Sequence, residues 1–182
     1  MSRTALLAEL AAYSPSDARE RSMVAEVAAF VRAHEACFER SLATGHITAS
    51  AWIVEPTATY ALLTHHRKLN RWLQLGGHAD GDADVRAVAL REACEESGLA
   101  AIRLARPDIY DVDVHVIPRR GAEAAHKHYD VRFAFVAHAA AALTVSGESH
   151  ELAWRPIAAL TGDDVDASVR RMAHKTPGLL PL

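Results

Sequence analysis

Cysteine is scarce: Cys37 and Cys94 are the only two in 182 residues. That excludes a small scaffold stapled by disulfides. Long hydrophobic runs are missing too, and no apolar stretch approaches the roughly 18–20 residues of a membrane span. Charge of one sign does not dominate. Twenty basic against 23 acidic residues leave a formal net charge of −3, which argues against polymeric nucleic acid as a partner. A nucleotide needs only a local patch and stays open. The opening MSRTALLAELAAYSPSD carries a glutamate and no cleavable signal pattern, so a reducing, cytoplasmic location is expected. A chain of this length fits one domain, or one domain with a small extension, and can remove roughly 70% of its unfolded surface from water. Histidine, by contrast, is plentiful at 11 residues, and it raises the question of a metal.

Along the chain, Thr4 to Ala12 predicts a short helix, and Ser14-Pro15-Ser16-Asp17 breaks it and caps the next. A second helical pattern runs from Ala18 to about Leu42, with Val24, Val27, Phe30, Val31, Cys37 and Phe38 at helical spacing. Residues 1–46 thus read as an Ala-rich helical extension, packed on the main domain or forming a homodimer contact. The texture then changes. Ala51–Val54, Tyr60–Thr64 and Trp72–Leu75 predict strands, the first two joined as a hairpin. A helix is expected from about Asp84 to Ser97, closed by Gly98 in the left-handed conformation. Extended segments follow near Ala101–Arg106, Ile109–Ile117, Tyr129–His138 and Glu151–Arg155, with terminal helices over Pro156–Leu160 and Asp163–Ala173. The fold class is α+β: a mixed sheet and helices over residues 47–176, with a loose tail at 177–182.

The densest chemistry lies in the segment from Gly77 to Leu99. At 100° per residue, Glu92, Glu95 and Glu96 share one sector of the helix. Ala87, Leu90 and Cys94 fall opposite and are expected to face the sheet. Clustered carboxylates repel one another and disfavour a bare helix. Divalent cations remove that penalty, and oxygen donors suit Mg²⁺ or Mn²⁺ rather than Zn²⁺. A solvated acidic face would give the same pattern. The context favours the metal: a strand, a Gly76-Gly77 turn and a polar loop precede the helix, and glycine lets backbone approach a ligand closely.

This order resembles the Nudix hydrolase family, whose box reads G-x5-E-x7-R-E-U-x-E-E-x-G-U, with U apolar. Gly77, Arg91, Glu92, Ala93, Glu95, Glu96, Gly98 and Leu99 fall at the matching positions. Ala83 stands where the family has its first box glutamate, a residue that pairs with the box arginine. Asp84 lies two turns before Arg91, so Asp84, or failing that Asp82, is expected to replace it. The resemblance implies an α/β/α sandwich around the box helix. It also implies Mg²⁺-dependent pyrophosphohydrolysis of a nucleoside diphosphate linked to another moiety, with one to three Mg²⁺ ions and Mn²⁺ as a possible substitute. By that analogy Glu95 and Glu96 are the main metal ligands, Glu92 is a ligand or the general base, and the Gly76 carbonyl is a further ligand. Arg91 belongs to the catalytic set, and Glu148 or Glu151, with Glu148 preferred, either supplies an alternative base or belongs to a charged loop beside the Trp154 strand. A nucleotide-binding or regulatory module without hydrolysis is the alternative, and the intact Glu92, Glu95 and Glu96 weigh against it.

His126-x-His128-x-Asp130 opens a strand, and at period two all three side chains share one face. They bind a transition metal, hold a phosphate, or form a structural cluster against the Gly-Gly loop. His78, next to Gly77, is expected to join them, and with Gly77, His126 and His128 it makes the expected substrate-binding set. The basic His65-His66-Arg67-Lys68 loop meets a phosphate or serves solubility alone. His115 and His138 read as structural. Trp52, Trp72 and Trp154 read first as core packing and second as base-stacking surfaces.

Overall fold

The computed structural model describes residues 2–121, 124–145, 147, 149–162 and 165–180. Helix α1 (Arg3–Ala12) is capped by Ser2, whose hydroxyl accepts the Ala5 N–H. Helix α2 (Ala18–Ala33) is capped by Asp17, whose carboxylate accepts the Glu20 N–H. The periodicity from Ala18 overshoots, because His34 turns extended (φ −123°, ψ 114°) and ends α2 at Ala33. Cys37 and Phe38 are still buried, but from a chain of turns. The Cys37 carbonyl accepts the Ile47 N–H at 2.8 Å, which ties these turns to the first strand.

That strand, β1 (Gly45–Val54), begins well ahead of the expected Ala51 and is buried along its whole length. Among the described residues it is the axis of a mixed eight-stranded sheet. On one side it pairs in parallel with β7 (His126–Val136), from Gly45 opposite Lys127 to Val54 opposite Val136. On the other side its earlier part pairs antiparallel with β4 (Leu75–His78), and its end with β2 (Tyr60–His66). The β2 strand also carries β3 (Arg71–Leu73) and β8 (Ser149–Pro156). The single strand expected over Trp72–Leu75 is therefore two, because the chain leaves β2 at Gln74 and joins β1 at Leu75. Beyond β7 lie β6 (Asp111–Ile117) and the two-residue β5 (Arg103–Leu104).

Strand alternation sorts the sheet into two faces. Ile47, Ala49, Ala51 and Ile53 of β1, with Val131 and Phe133 of β7, share a core with α1, α2 and α3 (Val85–Ser97). Trp52, Val54 and Ala134 pack on the opposite face against Val169 and Met172 of α4 (Ala167–Lys175). The result is an α/β/α sandwich, with the N-terminal helices placed before the sheet and packed on it. Pro156–Leu160 forms only a single 3-10 turn over Ile157–Ala159. Leu179, after α4, is buried in the second core.

The buried stripe of α3 differs from the expected one. Val85, Val88, Ala89, Ala93 and Ser97 face inward, while Ala87 is exposed and Leu90 and Cys94 are half-buried. Gly98 closes the helix at φ 72°, as its sequence predicts. Both sets of apolar residues recur at helical spacing, so periodicity alone cannot choose between them. The strands under α3 choose, and they place Glu92 and Glu96 at the margin of the packed face.

A buried ionic network joins the two helical layers. Glu20 of α2 accepts from Tyr13 Oη and Lys175 Nζ, each at 2.5 Å. Asp111 of β6 accepts from Lys175 at 2.5 Å, from Arg171 at 2.8 and 2.7 Å, and from Arg132 at 3.1 Å. Burial alone would raise the Glu20 carboxyl, but the bonds from Lys175, Tyr13 and Ser16 bring it down to about 2.

Candidate active site

A cleft of about 630 Å³ opens on the α4 side of the sheet, beyond the end of the Trp52 core. Its floor is polar. Asp130 accepts from Thr48 Oγ1 at 3.0 Å, Ser50 Oγ at 2.9 Å and Arg132 Nε at 2.6 Å. The Arg132 guanidinium is 2% exposed. Burial would discharge it, but Asp130, Asp113 and Asp111 around it hold it firmly charged. This floor therefore has its charges paired internally.

The carboxylates of α3 form one rim. Gly76 N–H donates to Glu96 Oε2 at 3.0 Å. At Gly77 a β-carbon would collide with the Glu92 carboxylate, so only glycine lets that carboxylate lie flat on the backbone of β4. Glu95 stands apart, with a side chain 63% exposed and 4.0 Å from Arg91. Two of the three box carboxylates are thus docked on the Gly-Gly backbone and the third is free to swing. This oxygen-only donor set fits a hard divalent ion such as Mg²⁺.

Arg91 couples the helix to β4. It donates to the His78 carbonyl at 3.2 Å and to Glu92 Oε1 at 3.0 Å. The expected pairing of Arg91 with Asp84 gives way to this arrangement. Asp84 is the N-cap of α3, and its carboxylate accepts the Ala87 N–H at 3.2 Å. Asp82 Oδ1 accepts the Asp84 N–H at 2.8 Å, and its charge adds a lesser field at Arg91. Among the described residues, the hydrogen-bond acceptors of Arg91 are thus a main-chain carbonyl and the neighbouring Glu92.

Glu148 lies outside the described residues. Glu151 is exposed on β8, opposite His65. Of the basic loop, His66 lines the cleft, while Arg67 donates to the Ser149 carbonyl at 3.2 Å and His65 stacks on Trp72 at 5.1 Å. Trp52 is fully buried, its indole N–H donating to Thr176 Oγ1 at 3.1 Å. Burial pushes the Cys94 thiol up, away from the thiolate form.

His126, His128 and Asp130 share a face, as period two predicts, and His78 joins them from β4. Two further imidazoles complete the group. His46 stands opposite His128 across β1 and β7, and His115 stands opposite it across β6 and β7. His115, expected to be structural, lines the cleft, and its Nδ1 is 3.3 Å from Asp113. Burial and the neighbouring imidazoles lower His46 to about 4 and His128 to about 2, so both are neutral. Sequence reasoning missed His46 because its partners come from pairing across the sheet, not from nearby chain. Its one local signal is the place of His46 two residues before Thr48 in a β-branched, apolar run.

A family model for the NUDIX domain matches residues 44–175. Among solved structures, a NUDIX family hydrolase from Clostridium perfringens is 22% identical, with a TM-score of 0.52, over 74% of this chain and 97% of its own. A Nudix hydrolase from M. smegmatis, RenU, is 19% identical with a TM-score of 0.57, over 76% and 90%. The E. coli dihydroneopterin triphosphate pyrophosphohydrolase is 14% identical with a TM-score of 0.57, over 71% and 92%. At these identities the likeness is one of fold. No protein of curated function matches the sequence. Among the described residues, no helix is long and apolar enough to cross a membrane. The matched segment, the layered sheet and the box from Gly77 to Leu99 agree, and the chain belongs to the Nudix family.

Proposed function

We propose that this protein is a Mg²⁺-dependent pyrophosphohydrolase that cleaves a nucleoside diphosphate linked to another moiety, by attack of water at phosphorus. The observation that carries the reading is the docking of Glu92 and Glu96 on the Gly76-Gly77 backbone at the rim of the cleft. Glu95 and Glu96 are the main ligands for Mg²⁺, or for Mn²⁺ in its place, and Glu92 with the Gly76 carbonyl completes the set. When bound, such ions supply the positive charge that a diphosphate needs and make water more acidic. Glu92 holds or takes the proton of the attacking water, and Glu148 is the alternative base. Arg91 positions Glu92 and fixes α3 to β4 through the His78 carbonyl. The paired floor of Asp130 and Arg132 keeps this wall rigid and adds no net charge of its own to the substrate site. The substrate is a small molecule, recognised by the cleft beside Gly77, His78, His126 and His128.

The test is release of phosphate or nucleotide from a panel of nucleoside diphosphate sugars, dinucleotides and nucleoside triphosphates, with and without Mg²⁺. Glu96→Gln should cut turnover of the best member by at least about 10²–10³-fold, the scale of removing one charge-stabilising group, with the fold intact by circular dichroism. Near-normal turnover in Glu96→Gln would reject the metal assignment. Binding of panel members with no cleavage of any would replace hydrolysis by a binding or regulatory role.

A further inference from the structure

Burying an imidazole requires a partner for its polar atoms, since a neutral ring always carries one N–H donor and one lone pair. His46 is 2% exposed, and both of its ring nitrogens are buried without a hydrogen-bond partner among the described residues. Such a group is destabilising unless something fills the gap. What surrounds it is more imidazole. Its ring centroid lies 5.1 Å from that of His78, 5.1 Å from His126 and 4.8 Å from His128. One ring nitrogen from each of His46, His78 and His128 can be chosen so that all three lie within 4.8 Å of one another.

We propose that His46, His78, His126 and His128 form a site for one transition-metal ion of the zinc type, separate from the α3 carboxylates and not required by the reading of those carboxylates given above. Nitrogen donors without carboxylates select Zn²⁺, Co²⁺ or Ni²⁺ over Mg²⁺. His126 is already set as a ligand. Its Nδ1 lies 3.0 Å from the Ala124 carbonyl, which can only accept, so Nδ1 carries the proton and Nε2 the lone pair. A backbone carbonyl holding the far nitrogen is the usual support of a metal-binding histidine. That Nε2 stands 3.3 Å from His128 Nε2. Two nitrogens on a tetrahedral zinc ion, each at about 2.0–2.1 Å, stand about 3.4 Å apart. His46 and His78 complete the shell by moving inward from their present separation, and the metal supplies the partner that His46 lacks. Asp130, two residues beyond His128 on the same face, is already committed to Thr48, Ser50 and Arg132.

The test strips the full-length protein with a chelator and titrates it with Co²⁺ in excess Mg²⁺. One Co²⁺ per chain should bind with the visible d–d bands of four-coordinate cobalt, and Zn²⁺ should bleach them. Glu95→Gln/Glu96→Gln should keep the bands. His78→Gln and His126→Gln, checked for fold by circular dichroism, should weaken binding by more than about 100-fold, beyond the 10–100-fold loss typical of outer partners. Absence of the bands in the parent protein, their survival in both histidine variants, or their loss in the glutamate variant would overturn the site. Should a histidine variant fail to fold, X-ray absorption of the zinc-loaded parent decides: an imidazole shell supports the site and an oxygen shell rejects it.

Discussion

The absence of a single β-carbon at Gly77 leaves room for the Glu92 carboxylate to dock. Gly77→Ala would put that carbon into the Glu92 carboxylate. The carboxylate is the end of a flexible side chain, so it can swing away and the fold survives. Turnover should drop by about 10²-fold, the scale set by a misplacement of about 1 Å at a reacting group. The half-saturating Mg²⁺ concentration should rise with it, while the melting temperature changes by only a few degrees. Unchanged Mg²⁺ dependence would show that the docked position of Glu92 is not the working one. At this scale the sequence is legible wherever partners are near in the chain. Glu92, Glu95 and Glu96 are read from helical spacing, and His126, His128 and Asp130 from strand alternation. His46 is not legible, because it meets His128 only through a strand pairing that no local pattern encodes.

At the scale of the element, α3 separates capping from positioning. Asp84→Ala removes a side-chain cap and should cost about 1 kcal/mol of stability, with turnover close to the parent. Arg91→Ala leaves the cap alone but frees the His78 carbonyl and Glu92 from their shared donor. It should lower turnover far more than stability, and thermal melts beside steady-state kinetics on both variants will separate the two. Equal losses of turnover would instead place Asp84 in the role of the absent box glutamate at Ala83. The ends of this helix follow from Asp84 and Gly98, but its buried stripe does not follow from its own residues. Ala87, Leu90 and Cys94 are as apolar as Val88, Ala89 and Ala93, and only the strands beneath favour the second set. The same limit explains α2. Cys37 and Phe38 continue its spacing because they too are core, yet a turn bonded to Ile47 presents them.

For the whole molecule, Glu20 joins the N-terminal helices to α4 and the sheet. Its folded pKa, about 2, lies below the ordinary 4.5. The unfolded chain therefore binds more protons between those values, and stability falls as pH drops through that window. Above pH 4.5 the contribution is constant. Glu20→Gln should lower the melting temperature at pH 7 and flatten its decline between pH 5 and 3. An acid limb as steep as the parent's would assign the loss to other carboxylates. The network of Glu20, Asp111, Arg132, Arg171 and Lys175 was not legible in the sequence, since each member alone reads as a surface charge. The long parallel seam between β1 and β7 carries a temporal cost. During synthesis β1 leaves the ribosome with its bonding edge bare and must wait for its mate, which is encoded much later. Pairings of such high contact order close slowly. The nascent polypeptide therefore passes through an interval with the unpaired N–H and C=O groups of that edge exposed, in which a holding chaperone should raise yield.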